Sequence, residues 1–106
     1  MNADVGNLLF ILDKDTGKKR PHVCIHVFTN NAGVKYDWLV LPITSAGTVG
    51  NRNLVCIKHK KLKKLSFAKL NNLTTIKADE SIEIAEEKVD FENIESIRCR
   101  LRFIFN

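Results

Sequence analysis

Residues 16–28 read TGKKRPHVCIHVF, a basic turn that runs into a segment of alternating polar and aliphatic side chains. Residues two apart in a β-strand share one face of the sheet, so the alternation predicts a strand at 21–28. The polar face of this strand should carry four titratable side chains: Arg20, His22, Cys24 and His26. The apolar face should point into the core with Val23, Ile25 and Val27. A titratable face of this kind is typical of a catalytic site, a metal site or an exposed sheet surface.

The chain on either side of this strand predicts further short strands and one helix. Apolar or alternating runs between turn residues predict strands at 5–12, 36–43, 54–58 and 65–70, and a short sixth strand at the end of 71–76. The third strand is expected to be central, with Pro42 marking its end or an irregularity. In residues 90–105 apolar side chains recur every three or four positions, which predicts an amphipathic helix with Asp90 as its N-cap. The predicted fold is α+β and mainly β, a small antiparallel barrel with a C-terminal helix packed against it.

The length and composition predict one globular domain spanning residues 1–106. Hydrophobic residues make up 44% and charged residues 27% of the chain, close to the average of globular domains. No apolar run reaches the roughly 20 residues of a membrane helix, and residues 1–12 lack the pattern of a signal peptide. We therefore expect a cytoplasmic protein with no membrane partner. The spacing of Cys24, Cys56 and Cys99 is not typical of a disulfide or zinc framework, so we expect buried or half-buried thiols.

The positive charge is concentrated before residue 78. Residues 1–77 carry 13 Lys and Arg against four Asp and Glu, a net charge of +9, whereas residues 78–106 carry four against eight, a net charge of −4. A body this basic favours a polyanionic partner, with nucleic acid first and an acidic protein segment second. The densest run is KHKKLKK at 58–64, which predicts either a grip on a nucleic-acid backbone or a solvated loop.

Four segments resemble, in the same order, the MazF/PemK family of bacterial toxins: VGNLLFIL at 5–12, GKKRPHVCI at 17–25, WLVLPITS at 38–45 and KKLSFAKLNNLTTIK at 63–77. The resemblance implies an SH3-like (plasmid maintenance toxin) barrel that forms a homodimer. It also implies a sequence-specific, metal-independent endoribonuclease that needs no cofactor and cleaves single-stranded RNA. The substrate 2′-OH would attack the neighbouring phosphate and leave a 2′,3′-cyclic phosphate and a 5′-OH, a reaction for which DNA lacks the nucleophile. A cognate antitoxin would neutralise such a toxin, and an acidic protein tail fits the basic body better than an RNA antitoxin.

Within this resemblance, Arg20 and Thr44 match the family's active-site residues. Arg20 is expected to clamp the phosphate, because a guanidinium fork matches oxygens on which negative charge builds, and it is a candidate proton donor to the leaving oxygen. Thr44, with Ser45 beside it, would orient the phosphate; the alternative for both is turn chemistry after the proline. His22 follows Arg20 on one strand face, about 7 Å further on, and an imidazole suits the role of general base on the 2′-OH. The alternative for His22 is a polar sheet face in solvent or at a subunit interface.

Further polar residues are candidates for contacts with RNA: Lys18, Lys19, Ser45, Lys58, Lys60, Lys61 and Asn72. Trp38 and Phe67 have ring faces that can stack on bases, but both lie in predicted strands and are expected in the core.

A second hypothesis, from a different class, is a non-catalytic toxin of the same fold that poisons DNA gyrase, as CcdB-type toxins do. Arg20 together with Thr44 favours the nuclease, because a gyrase poison has no need of that pair. A third hypothesis is an RNA-binding member of the fold without turnover. The His-x-Cys-x-His pattern at 22–26 leaves zinc as a minor alternative, since no fourth ligand is apparent.

Overall fold

The computed structural model describes residues 3–105, which form seven β-strands and one α-helix. The strands are β1 (Asn7–Leu12), β2 (Lys19–Thr29), β3 (Lys35–Thr44), β4 (Leu54–Ile57), β5 (Ser66–Lys69), β6 (Thr74–Lys77) and β7 (Glu83–Lys88). The helix is α1 (Phe91–Ile104), and a single 3₁₀ turn (Leu70–Asn72) follows β5. The six predicted strands and the helix are confirmed, and β7 forms in a segment for which no strand or helix is predicted.

The strands form an antiparallel sheet that curls into a half-barrel. The order along the sheet is β4-β5-β3-β2-β1-β7, and β6 pairs with β3 beside this path. β3 is central, as predicted, because residues 37–40 pair with β6 while Ile43 and Thr44 pair with β5. Pro42, which has no N–H to donate, lies between these two pairings and opposite His22 of β2. The predicted architecture, mainly β with a C-terminal helix, is confirmed.

Apolar side chains cover both faces of the sheet, so residues 3–105 form two cores. The helix-side core joins the central strands to α1 and is built around Leu8, Val23, Leu41, Ile94 and Ile97. The second core lies on the opposite face and is built around Leu9, Cys24, Trp38 and Val40. Neighbouring residues of one strand enter different cores, as the alternation of strand side chains requires. Trp38 is fully buried and Phe67 is 3% exposed, so both serve packing, as expected.

An irregularity in β2 interrupts its pairing with β3. Cys24 pairs with Val40, and the next pair joins His26 to Leu39. Ile25 is therefore an extra residue without a partner on β3, which is a β-bulge.

The bulge exchanges the two faces of β2 beyond Ile25. Val27 packs against the second core, whereas Val23 belongs to the helix-side core. The prediction that Val27 shares a core with Val23 is wrong, and so is the prediction that His26 shares a face with Cys24. A pattern with a period of two cannot reveal an inserted residue, because the insertion shifts the register without changing the composition.

The helix α1 is anchored by fewer residues than its spacing suggests. Asp90 holds the N-cap position, as predicted, but its side chain makes no capping hydrogen bond. Ile94 and Ile97 are buried, and Leu101 is partly buried against the helix-side core. Phe91 is 71% exposed, so the first turn contributes little to this packing. Within residues 3–105, no helix has the length and apolar character needed to span a membrane.

The three cysteines are free thiols. Cys24 is buried and Cys56 is half-buried, as expected, whereas Cys99 is exposed on α1, contrary to the expectation. Burial raises the pKa of the Cys24 thiol to about 11, so this thiol is neutral at physiological pH.

Candidate functional site

A surface cleft of about 410 Å³ opens beside the second core, where β1, β2, β3 and β5 meet. Nine of the described residues line this cleft: Ile11, Leu12, Asp13, Arg20, His22, Pro42, Ile43, Thr44 and Lys69. The three predicted catalytic residues, Arg20, His22 and Thr44, are all among them. The fold thus brings together side chains that lie far apart in the sequence.

Strand alternation explains why these side chains meet. In β2, Val23 enters the helix-side core, so its neighbour His22 points to the opposite face. In β3, Ile43 packs in the same core, and Thr44 follows it at the end of the strand. The pairing of His22 with Pro42 aligns the two strands so that both reach one cleft. Arg20 and His22 precede the bulge of β2, in the part of that strand where the side chains alternate regularly.

Arg20 lies beside the carboxylate of Asp13. The Nε atom of Arg20 is 3.7 Å from Oδ2 of Asp13, and the Arg20 side chain is 52% exposed. The β1–β2 turn holds this carboxylate, because Oδ1 of Asp13 accepts a 3.0 Å hydrogen bond from the backbone N–H of Asp15. The contact between Arg20 and Asp13 is an ion pair that is too long for a hydrogen bond. It orients the guanidinium and leaves the donors of the fork to a ligand.

The proton of the His22 ring is placed by a backbone carbonyl. The distance from Nδ1 to the carbonyl oxygen of Arg20 is 3.0 Å, and a carbonyl oxygen can only accept, so Nδ1 is the protonated nitrogen. Nε2 therefore carries the lone pair. Burial lowers the pKa of His22 below its usual value of 6.5, which makes the ring neutral at neutral pH. A neutral imidazole with an available lone pair is the form that a general base requires.

Thr44 uses its hydroxyl in the turn that follows β3. Its Oγ1 accepts a 3.1 Å hydrogen bond from the backbone N–H of Ala46. The hydroxyl proton takes no part in that bond and can be donated to a ligand in the cleft. Turn chemistry and ligand binding, the two alternatives for Thr44, are therefore compatible. Ser45 is exposed and does not belong to the lining of the cleft.

Residues 59–61 of the lysine run lie against β7 and outside the lining of the cleft. The Nε2 of His59 is 2.7 Å from the carbonyl oxygen of Glu87, and its Nδ1 accepts a 3.0 Å hydrogen bond from the backbone N–H of Lys61. Lys60 forms an ion pair with the carboxylate of Glu87. His59, Lys60 and Lys61 line a separate cavity of about 430 Å³ together with the acidic side chains of β7. The structure does not bring Lys60 and Lys61 to the predicted catalytic residues.

The other predicted RNA-binding residues also lie outside the lining of the cleft. All of them are exposed: Lys18, Lys19, Ser45, Lys58 and Asn72. The Nζ of Lys19 is 3.5 Å from Oε1 of Glu83, so its charge is partly offset. The backbone N–H of Lys58 donates a 2.9 Å hydrogen bond to Oδ1 of Asn93, which ties the end of β4 to α1. None of these five residues lines the cleft with the predicted catalytic residues.

Two charged residues of the cleft, Asp13 and Lys69, escape the sequence-based prediction. Lys69 does carry a signal, because Ala68 and Leu70 on either side of it are apolar and enter the helix-side core. An alternating strand then requires Lys69 to face the other way. No comparable signal marks Asp13, since its distance from Arg20 depends on how the turn closes.

The His-x-Cys-x-His pattern does not form a metal site. Cys24 is buried in the second core, and the bulge at Ile25 places His26 on the other face of β2. In the described part of the chain, no three His, Cys, Asp or Glu side chains are grouped as metal ligands would be. The zinc alternative therefore has no support in the geometry of β2.

A larger cavity of about 540 Å³ lies away from the cleft, at the end of α1. Its lining consists of Arg52, Asn53, Arg100, Phe103 and Ile104. The two arginines can bind an anion, but none of these side chains can accept a proton near neutral pH. The smaller cleft is therefore the better candidate for acid–base chemistry.

Comparisons with known proteins do not assign a family. No protein-family model matches the chain, and no curated protein matches it significantly. What the cleft does is therefore inferred from its chemistry, with the resemblance of the four sequence segments as a second line of support.

Proposed function

We propose that this chain is a metal-independent endoribonuclease that cleaves single-stranded RNA by attack of a 2′-OH on the neighbouring phosphate. The observation that carries the proposal is the meeting of Arg20, His22 and Thr44 in one cleft. These residues supply a phosphate-binding cation, a neutral imidazole with an available lone pair and a hydroxyl donor. Such a set can catalyse transfer at phosphorus through general base and electrostatic catalysis.

The proposed reaction begins with transfer of the 2′-OH proton to Nε2 of His22. The 2′-oxygen forms a bond to phosphorus while the bond between phosphorus and the 5′-oxygen breaks. The leaving 5′-oxygen takes a proton from solvent or from a cationic group of the cleft. The products are a 2′,3′-cyclic phosphate and a 5′-OH, and DNA is not a substrate because it has no 2′-OH.

Arg20 would stabilise the charge that builds up during this step. The phosphorane carries one more negative charge than the bound phosphodiester, and a guanidinium can hold two of its oxygens at once. Thr44 would donate its hydroxyl proton to the same phosphate and so fix the position of phosphorus relative to His22. Loss of one group that stabilises the transition state in this way costs about 10²–10³ in rate.

The resemblance of the four segments supports extending the proposal to a bacterial toxin of the MazF/PemK type. On this proposal the protein acts in the cytoplasm as a homodimer, cleaves RNA at preferred sequences and is neutralised by a cognate antitoxin. The net charge of +9 on residues 1–77 supports a protein antitoxin with an acidic tail.

The competing proposal is a non-catalytic toxin of the same fold that poisons DNA gyrase. That function needs a docking surface and has no use for a proton acceptor beside a phosphate clamp. The neutral His22 in the same cleft as Arg20 therefore favours the nuclease.

The test is incubation of the purified protein with a long single-stranded RNA in excess EDTA, with Arg20→Ala and Arg102→Ala assayed in parallel. Arg102 is an exposed arginine of α1, which packs on the other face of the sheet, so its replacement controls for the loss of positive charge. We expect wild type and Arg102→Ala to give fragments with 2′,3′-cyclic phosphate and 5′-OH ends. Arg20→Ala should be at least about 100-fold slower.

Absence of cleavage by the wild-type protein would contradict the proposed function. Inhibition of gyrase supercoiling by the same preparation would then support the competing proposal. Equal losses of cleavage rate in Arg20→Ala and Arg102→Ala would show that the rate depends on the total positive charge of the protein and not on Arg20 in the cleft.

A further inference from the structure

The charge of the cleft depends on one residue that the mechanism above leaves unused. Arg20 contributes one positive charge, and Asp13, 3.7 Å away, contributes one negative charge. His22 is neutral at neutral pH, because burial lowers its pKa. Without Lys69 the described residues of the lining are therefore neutral overall, and with Lys69 they carry one net positive charge. A neutral cleft has little electrostatic preference for a phosphodiester.

Lys69 faces the cleft from the side opposite Arg20. β3 lies between the two residues, since Arg20 belongs to β2 and Lys69 to β5, where Ala68 pairs with Ile43 of β3. Ala68 and Leu70, on either side of Lys69, are buried in the helix-side core, which directs Lys69 to the opposite face. Among residues 3–105, Lys69 takes part in no ion pair, so its charge is not offset as that of Arg20 is.

We propose that Lys69 is a further catalytic residue, whose ammonium group binds a non-bridging oxygen of the scissile phosphate opposite Arg20. This proposal rests on the proposed function, because it adds a second contact to the same substrate. A monoanionic phosphodiester becomes a dianionic phosphorane as the 2′-oxygen attacks, and two cations on opposite sides can each face one of those charges. Lys69 forms and breaks no covalent bond, and the proton and bond changes are those of the reaction already described.

The two cations have different tasks in this arrangement. The planar fork of Arg20 fixes the geometry of the phosphate, whereas a lysine ammonium is a compact charge on a flexible stem. Asp13 offsets part of the charge of Arg20, so the attraction that draws a phosphodiester into the cleft comes mainly from Lys69. Loss of Lys69 should therefore raise KM and also lower kcat, because the ammonium attracts the phosphodiester and also faces the charge of the phosphorane. Loss of a general base such as His22 should lower kcat with little change in KM.

The test measures binding apart from cleavage, with a 2′-fluoro RNA oligonucleotide that has no 2′-OH and cannot be cut. Fluorescence anisotropy in EDTA over a salt series gives Kd for wild type, Lys69→Gln, Lys69→Arg and Lys77→Gln. Lys77 is an exposed lysine of β6, paired with the end of β3 that lies away from the cleft, so it controls for the loss of one positive charge.

We expect Lys69→Gln to bind about tenfold more weakly, as for one lost charge-assisted hydrogen bond. It should also reduce the slope of log K against log salt concentration by about 0.7, the value for one phosphate contact on a single strand. Lys69→Arg should restore most of the affinity, and Lys77→Gln should bind like the wild type. With unmodified RNA, Lys69→Gln should show a higher KM and a lower kcat.

Wild-type affinity and an unchanged salt slope in Lys69→Gln would overturn the assignment of Lys69, even if the wild type cleaves RNA. An equal loss in Lys77→Gln would overturn it as well, because the effect would then be one of net charge. If the wild type fails to cleave RNA but Lys69→Gln still weakens binding selectively, the proposed reaction is contradicted and the phosphate contact of Lys69 is supported.

Discussion

His22 and His59 are both held by backbone hydrogen bonds, but they differ in what is left for a ligand. His59 uses both ring nitrogens: Nδ1 accepts from the N–H of Lys61, and Nε2 donates to the carbonyl of Glu87. His22 donates from Nδ1 to the carbonyl of Arg20, and its Nε2 has no hydrogen-bond partner among the described residues. A ring with two backbone bonds ties chain segments together, whereas a ring with an available lone pair can move a proton.

The charges around the two histidines extend the comparison. Residues 59–61 of the lysine run pack against the acidic β7, where Lys60 pairs with Glu87. In the cleft one acidic residue of the described chain, Asp13, shares the lining with two cations, Arg20 and Lys69. The number of lysines in a segment therefore says less about phosphate binding than the carboxylates against which the segment packs.

The largest effect is expected on cleavage when His22 is replaced. His22→Ala should lower kcat about 10²–10⁴-fold, because the proton acceptor for the 2′-OH is lost. His59→Ala is the matched control and should cleave RNA like the wild type. Single-turnover cleavage measures the rate of each variant, and thermal melting of the same preparations shows whether each variant is folded. An active and folded His22→Ala protein would show that another group takes the proton.

The pH dependence of cleavage tests whether His22 acts as the general base. Burial lowers the pKa of His22 below 6.5, and a general base acts only when it is unprotonated. The value of kcat/KM should therefore be constant near neutral pH and fall by about tenfold per pH unit below an inflection that lies under 6.5. The residual activity of His22→Ala should lack this fall. An inflection above 6.5 in the wild type would be inconsistent with a partly buried, neutral imidazole as the base.

Asp13→Asn should change binding and turnover in opposite directions. The variant leaves the cleft with two net positive charges, so KM should fall, while Arg20 loses the partner that orients it, so kcat should fall too. Each change should be about two- to fivefold, because the ion pair is partly exposed. Asparagine keeps the oxygen that accepts from the N–H of Asp15, so the turn should persist. Steady-state kinetics measure KM and kcat of this variant, and Asp15→Asn is the control because the Asp15 side chain lies outside the lining. An unchanged KM in Asp13→Asn would contradict the prediction.

The smallest effects are expected at the lysine run. His59→Ala should lower the free energy of unfolding by about 1 kcal/mol through its lost hydrogen bonds. Lys60→Ala should lower it by less than about 1 kcal/mol, because the pair with Glu87 is exposed. Urea unfolding measures both values. If Lys60→Ala instead weakens binding of the 2′-fluoro RNA as much as Lys69→Gln does, the lysine run binds RNA, and the expectation that it lies outside the RNA site is wrong.

The sequence predicts which side chains line the cleft wherever the side chains of a strand alternate regularly between its two faces. Arg20 and His22 can be assigned to one face because β2 is regular before the bulge, and Thr44 can be added because it ends the neighbouring strand. The same reasoning fails for His26 and Val27, because the extra residue at Ile25 reverses their faces. A bulge is a property of the pairing between two strands, so one strand's pattern does not contain it.

The sequence also does not show which of the charged side chains remain available to a ligand. Lys60 and Lys69 carry the same charge, but tertiary packing places Lys60 beside an acidic strand and Lys69 in the cleft. The turn that carries Asp13 likewise meets Arg20 only when β1 and β2 pair. Counting charges gives the sign of the expected partner, and the fold decides which of those charges remain available to it.

The central claim is that the 2′-OH of the substrate is the nucleophile in this cleft. After the cleaved bonds of one RNA have been mapped in EDTA, an identical RNA is prepared with hydrogen in place of the 2′-OH on the 5′ side of one such bond. We predict that this bond is no longer cut, while the other bonds are cut at unchanged rates. Continued cleavage at the substituted position would contradict the claim, because water or another nucleophile would then be attacking the phosphorus.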